Sequence, residues 1–235
     1  SEGPSSVEKA RKEHKNVIQI MEENGVKIHL MDENEKQPDC MFVEDHAVVV
    51  GKKAFATSSG SKGRLEEASS VHSALEKHLE LVKNEGDFRI DGGDVLVTNE
   101  FVLVGLSSRT DENGVTELER FCKGSGRKFF VVKVPKFSLH LISICSSPIP
   151  GHLIISEGWP ENAFKELNCY IHKVPYDESY GANILPLGRK ILVPKGYQSS
   201  LSIISSLDLH PIEIPMNEIK QGDGSITCLT IRWKK

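Results

Sequence analysis

Short apolar runs, each entered through a polar residue and left through a turn, recur along this chain. Met41–Val50 predicts a strand, Gly51-Lys52-Lys53 a turn and Ala54–Thr57 a returning strand. Three further hairpins are predicted: Asp91–Val97 with Phe101–Leu106, Leu139–Cys145 with Gly151–Ser156, and Asn183–Leu187 with Lys190–Pro194, the last turning at Gly188-Arg189. Helical spacing fills the intervals at Leu65–Leu81, Val115–Phe121 and Glu161–Leu167. One more strand precedes the next hairpin, at Phe129–Val134, Cys169–Val174 and Pro211–Pro215. The repeating unit is therefore strand, strand, helix, strand.

The two ends depart from this unit. Ser6–Gly25 predicts a helix with Val7, Ala10, Val17, Ile18 and Met21 toward one face, stopped by Gly25, and Val26–Met31 predicts a short strand. Ser225–Trp233 predicts a last strand without a hairpin partner. The N-terminal helix is expected to complete that final unit and close a ring, as the termini of propellers do. Nothing in the interior reads as a linker, so residues 1–235 are expected to form one domain.

The residues at or near the strand entrances carry chemistry. Asp45, Asp91, His140, Asn183 and Cys228 follow one another at intervals of 46, 49, 43 and 45 residues. A near-constant period of that length marks a repeat architecture. Equivalent positions of a closed repeat bring acid, imidazole and thiol to one axis. A lone cysteine is ordinarily a small buried hydrophobe, and a lone histidine in an apolar run is ordinarily a satisfied core residue. In register, Cys228 and His140 are the pair that covalent catalysis requires. Asp91 and Asp94 bracket Gly92-Gly93, and one of the two is expected to orient the histidine. Glu44 and Asp45 lie in a predicted strand, where consecutive side chains face opposite ways, so one acid is expected inside. A buried carboxylate needs a cation, and a guanidinium pairs with it bidentately. Asp39 could add an acceptor. Arg64 and Arg109 each follow a returning strand and together suit a carboxylate.

Composition narrows the classes. With 38% hydrophobic and 26% charged residues a packed core is expected. A net charge of −4 provides no field for nucleic acid. The five cysteines are odd in number and none are spaced C-x-x-C, which argues against a disulfide framework or structural zinc and for a reducing, cytoplasmic setting. No signal peptide or apolar span is visible. No phosphate loop, dinucleotide fingerprint or metal-ligand spacing is present, so neither cofactor nor metal is expected.

Five runs, Pro38–Asp45, Asp91–Leu96, Val104–Thr110, Leu139–Ser143 and Asp223–Cys228, occur in an order and spacing that resembles the dimethylarginine dimethylaminohydrolases. The resemblance extends from about Val7 to the C-terminus. It implies the pentein fold, a five-bladed α/β propeller around a central cavity. It implies Cys228 as nucleophile, His140 as general acid and base, and Asp91 as the acid orienting it. Glu44 and Asp45 would meet the guanidinium end, Asp39 the amino group, and Arg64 and Arg109 the carboxylate of a free methylated arginine. The backbone of Gly222 and Asp223 would also meet substrate. The products implied are citrulline and methylamine or dimethylamine, with a link to control of nitric oxide. Ile142 stands where the family usually has Lys, Leu229 where some members have a second Cys, and the family's first strand and lid loop are not recognisable. Two other readings remain: a deiminase of arginine, or agmatine (which the arginine pair disfavours), and a non-catalytic pentein that binds a macromolecule.

Overall fold

The computed structural model describes residues 6–34, 36–59, 64, 66–83, 85–160 and 162–234. Helix α1 (Val7–Glu23) starts where the Ser6 side chain accepts a hydrogen bond from Lys9 N and ends before Gly25, which has φ +80°. Four three-stranded sheets follow. The first comprises β1 (Ala47–Val50), β2 (Lys53–Ala56) and β3 (Glu80–Val82), with α2 (Glu67–Leu75) between the last two. The second comprises β4 (Val95–Val97), β5 (Phe101–Leu106) and β6 (Lys128–Lys133), with α3 (Glu112–Cys122) before β6. The third comprises β7 (Cys145–Ser146), β8 (His152–Ser156) and β9 (Tyr170–Val174). The fourth comprises β10 (Leu185–Leu187), β11 (Lys190–Pro194) and β12 (His210–Ile214), with α4 (Gln198–Ser206) before β12. In every sheet the first two strands are antiparallel and the third is parallel to the second. A parallel neighbour requires a crossover rather than a tight turn, which is why a longer segment stands before each third strand.

The middle strands are buried on both faces, and their alternation stitches the sheets together. On β5, Val102 and Val104 pack with Val48, Phe55 and α3, while Leu103 packs with Leu153 and Ile155. On β8, Ile154 turns instead to Ile191 and Val193. On β11, Leu192 joins Val17 and Met21 of α1, together with Ile226 and Leu229. The chain end completes the circuit: Ile231 and Trp233 pack with Ala47, Ala54, Val71 and Leu75 beside the first sheet. Trp233 stacks near His29 and His78, at ring-centroid distances of 6.0 and 5.7 Å. A short helix α5 (Asn217–Gln221) docks on α1, where the Glu13 carboxylate accepts from the backbone N–H groups of Asn217, Glu218 and Ile219. No described helix is long and apolar enough to cross a membrane.

Several expected elements differ. Val26–Met31 forms no strand, and Val7 is exposed rather than on the packed face of α1. The expected strand Met41–Val50 is a 3-10 turn, Val43–His46, followed by β1. The expected helix Leu65–Leu81 begins on a residue outside the described set and ends at Leu75, where β3 soon takes over. Glu161 also lies outside the described residues. Beyond it, bonds from Ala163 N to Pro160 O, Lys165 N to Asn162 O and Leu167 N to Phe164 O close successive tight turns rather than an α-helix. Leu139–Ile144 is turn rather than strand, and Ser225–Trp233 contains a 3-10 turn at Thr227–Leu229 with no strand. Helices α4 and α5 are additional.

Candidate active site

The residues of the periodic series all sit on tight turns before or in place of a first strand. Glu44 and Asp45 lie in the 3-10 turn before β1, and Asp91 caps the 3-10 turn Gly92–Asp94 before β4. His140 lies in the turns before β7, Asn183 follows the 3-10 segment Tyr176–Ala182 before β10, and Cys228 lies in the final 3-10 turn. A turn, unlike a strand, lets consecutive side chains face the same region. Both Glu44 and Asp45 are therefore buried, which corrects the expectation of one acid inside.

These turns are joined by a closed circuit of hydrogen bonds. Gly93 N donates to Asp45 Oδ1 (3.0 Å), and Ile142 N donates to Gly93 O (3.0 Å). Asn183 Nδ2 donates to Ile142 O (2.7 Å), and Thr227 N donates to Asn183 Oδ1 (3.2 Å). Thr227 Oγ1 donates to Glu44 Oε2 (2.8 Å), one residue from the start at Asp45. Each bond satisfies a buried polar group, so the turns hold one another in place. Gly93 has no room for a side chain: a Cβ there would lie 2.7 Å from His140 Nδ1 and 2.8 Å from Asp45 Oδ1.

Within the circuit, His140 Nε2 lies 3.1 Å from Asp91 Oδ2 and 3.9 Å from Asp45 Oδ1. Asp94 does different work. Its carboxylate accepts from Leu141 N (2.9 Å), Ser107 Oγ (2.6 Å) and Thr110 Oγ1 (2.7 Å), fixing the backbone that carries His140. Of the two acids bracketing Gly92-Gly93, Asp91 is thus the one at the imidazole. Burial alone would lower the pKa of His140, but Asp45, the hydrogen bond that the ring donates to Asp91, and Asp94 outweigh it and push it up to about 9. The ring is an imidazolium at neutral pH. Burial also pushes Glu44 up to about 8, against the opposing pull of Arg232 and Thr227. Burial, then Glu44 and Asp45, raise the pKa of the Cys228 thiol, and Ser225, with its Oγ 3.2 Å from Cys228 Sγ, opposes them. The unliganded site therefore holds a neutral thiol beside acids. A cation entering among them would relieve both costs.

The remaining expected residues are placed as follows. Arg109 Nη1 is 4.0 Å from Asp91 Oδ2 and the side chain is 25% exposed. Arg64 points inward instead, to Asp45 Oδ2, Glu67 Oε2 and Phe42 O. Asp39 is half-buried, and its carbonyl accepts from Phe42 N. Gly222 and Asp223 lie on an exposed turn after α5, with Asp223 at φ +59°. The loop that leads to Cys228 is held by Tyr180 Oη, which donates to Gly224 O (2.9 Å). Asp45, Asp91 and His140 place polar atoms within 4.8 Å of one another, but a protonated His140 supplies the positive charge of this cluster and is no ligand for a second cation.

This arrangement agrees with what the chain is similar to. The family described as N,N dimethylarginine dimethylhydrolase, eukaryotic, matches residues 2–138, more than half of the chain. The chain belongs to this family. It is accordingly an enzyme of the dimethylargininase-like amidinohydrolase type. An N(G),N(G)-dimethylarginine dimethylaminohydrolase of Pseudomonas aeruginosa is 25% identical over 98% of this chain and 91% of its own. One from Streptomyces coelicolor is 27% identical over 84% of this chain and 76% of its own. A crystal structure of a mutant of the P. aeruginosa enzyme complexed with citrulline superposes with a TM-score of 0.90 at 24% identity, covering 98% of this chain and 91% of that one. The N-terminal domain of ArgZ, an arginine dihydrolase from cyanobacteria, superposes with a TM-score of 0.89 at 16% identity, covering 98% and 88%. The fold is thus that of these enzymes: α/β, with four small sheets in this chain.

Sequence reasoning missed Glu67, His46 and Thr227, and assigned Asn183 no task. Asn183 had the signal of its place in the periodic series. Thr227 stands beside Cys228, where only its hydroxyl hinted at a partner. Glu67 opens helix α2 and is 5% exposed.

Proposed function

We propose that this chain hydrolyses free methylated arginines, asymmetric dimethylarginine and monomethylarginine, to citrulline and dimethylamine or methylamine. The observation that carries this reading is an imidazolium, His140, held among Asp45, Asp91 and Asp94, on turns of the same hydrogen-bonded circuit that holds the turn of a half-buried thiol. Glu44 and Asp45 receive the guanidinium. Burial, then Glu44 and Asp45, keep Cys228 protonated; the positive charge of the substrate offsets the two acids, and the thiol loses its proton to solvent as substrate binds. The thiolate attacks the guanidinium carbon and a carbon–sulfur bond forms. His140 gives its proton to the methylated nitrogen, the carbon–nitrogen bond breaks and the amine leaves. A thiouronium remains on Cys228. Neutral His140 then takes a proton from water, the hydroxide attacks the same carbon, the carbon–sulfur bond breaks and citrulline departs. Asp91 orients the ring throughout. Arg109 and Arg64 meet the substrate carboxylate, Asp39 its amino group, and the backbone of Gly222 and Asp223 its flank. The names of the relatives support the substrate, and the citrulline complex of the P. aeruginosa mutant supports the product.

The architecture that serves this chemistry is a five-bladed propeller forming one domain over the whole chain. Four blades are the four sheets. The fifth is built from both termini, with α1, α5 and residues 226–233 standing between the fourth sheet and the first, as the apolar contacts there support.

Acid quenching during turnover of asymmetric dimethylarginine, followed by peptide mass analysis, tests the covalent step. A thiouronium adduct is expected on the Cys228 peptide, and it should accumulate in His140→Ala when S-methylthiocitrulline, whose thiolate leaving group needs no acid, is supplied. Product formation with no adduct on Cys228, or with the adduct on Cys40, would overturn the assignment.

A further inference from the structure

Arg64 is engaged at every nitrogen. Its Nη1 pairs with Asp45 Oδ2, its Nε donates to Glu67 Oε2 (2.9 Å), and its Nη2 donates to Phe42 O (2.7 Å). The side chain is 11% exposed, and both carboxylates are buried. Asp45 is also the acid that holds Gly93 N and approaches His140. A protein guanidinium therefore sits on one oxygen of the acid that would receive a substrate guanidinium. The two cations carry the same planar fork of donors, and one carboxylate oxygen cannot serve both fully.

We infer that Arg64 is an internal counter-cation that substrate displaces from Asp45, and that Glu67 is the positioning residue that holds it there. The inference rests on the functional reading above. The entering guanidinium takes Asp45 Oδ2. The released Arg64 fork then turns to the carboxylate at the other end of the substrate, so its two internal ion pairs, with Asp45 and Glu67, are exchanged for two made with substrate. Glu67 is not stranded by the exchange, because His46 Nε2 already lies 3.2 Å from the same Oε2 that accepts from Arg64. That alternative partner matters, since an unpaired buried carboxylate is costly. The exchange also confers selectivity. A ligand with a guanidinium but no carboxylate must dislodge Arg64 without giving it a new partner, so simple alkylguanidines are penalised relative to amino acids.

The test measures binding by calorimetry in a Cys228→Ser background, which prevents turnover. Two probes are used: asymmetric dimethylarginine, and N,N-dimethylguanidine, which lacks the carboxylate. Removing Arg64 (Arg64→Ala) removes the internal competitor and also the carboxylate partner. Dimethylguanidine should therefore bind on the order of tenfold tighter and dimethylarginine on the order of tenfold weaker, the ratio set by one charge-assisted hydrogen bond. Unchanged dimethylguanidine affinity would mean Arg64 only clamps carboxylate, and weaker binding of both would mean it only props up Asp45; either overturns the exchange. Glu67→Gln keeps Arg64 and neutralises its inner anchor, so both probes should bind several-fold tighter. Equal or weaker binding of both would again overturn the proposal, with no dependence on whether the alanine variant folds. A parent protein that binds neither probe would instead bring down the functional reading, and the exchange with it.

Discussion

Three buried groups of the site bind their protons more tightly in the folded chain than they would in water, and this sets how pH acts on the molecule. His140 is raised from an ordinary 6.5 to about 9, Glu44 from 4.5 to about 8, and Asp94 upward from 3.8. A group whose folded pKa is raised contributes stability fully present below its unfolded value, and loses it as pH rises through the folded value. For His140 that window runs from 6.5 to about 9, and for Glu44 from 4.5 to about 8, so both act in the same direction. The thermal unfolding midpoint should therefore fall as pH rises from neutral through about 9. His140 alone is worth on the order of 3 kcal/mol across its window. Asp91→Asn should flatten the decline, because it removes one of the charges that hold the proton on the ring. A midpoint that rises over the same range would show that the imidazole is neutral in the fold. At this scale the sequence was legible for Cys228, His140, Asp91 and Asp45, because each recurs at an entrance position of the repeat. Glu67 and His46 were not legible. The His46–Glu67 contact joins residues 21 apart in the chain, and nothing in the local pattern distinguishes a buried Glu at a helix start from a solvated one.

The elements that matter most are the tight turns before the strands, and the bonds between them do more than the strands themselves. Asn183 lies at the centre of this arrangement. It is fully buried, and its amide joins Ile142 O, Thr227 Oγ1 and Thr227 N. Asn183→Ala leaves those groups without their partner and should cost about 2–4 kcal/mol in stability. It should also lower kcat far more than it raises KM, because the Cys228 turn loses its register against His140 while Asp45 stays held by Gly93 N and Arg64. A measured split in the opposite sense, KM raised with kcat intact, would place Asn183 in substrate binding. The hairpins were legible from apolar runs punctuated by glycine, and Gly51 and Gly188 do take positive φ in their turns. Turn and strand were confused at Met41–Val50, Leu139–Cys145 and Ser225–Trp233. Each is a short apolar stretch, for which periodicity cannot separate an extended strand from a 3-10 turn packed on one side. Helix α4 was not predicted, although the strand-strand-helix-strand unit requires a helix between β11 and β12.

The whole molecule joins these turns through apolar clusters that pass from sheet to sheet and return, through the chain end, to the first. The closing role expected of the termini has support in Trp233 lying against His29 and His78, and in α1 docking on α5. The central claim is that this frame presents a thiol and an imidazolium to a methylated guanidinium. Product analysis tests it most directly, because a deiminase acting on free arginine would release ammonia rather than an alkylamine. Incubation with asymmetric dimethylarginine should give citrulline and dimethylamine in equal amounts, with Cys228→Ser inactive and free arginine giving little citrulline. Dominant release of ammonia from free arginine, or no product from any guanidine, would contradict the account.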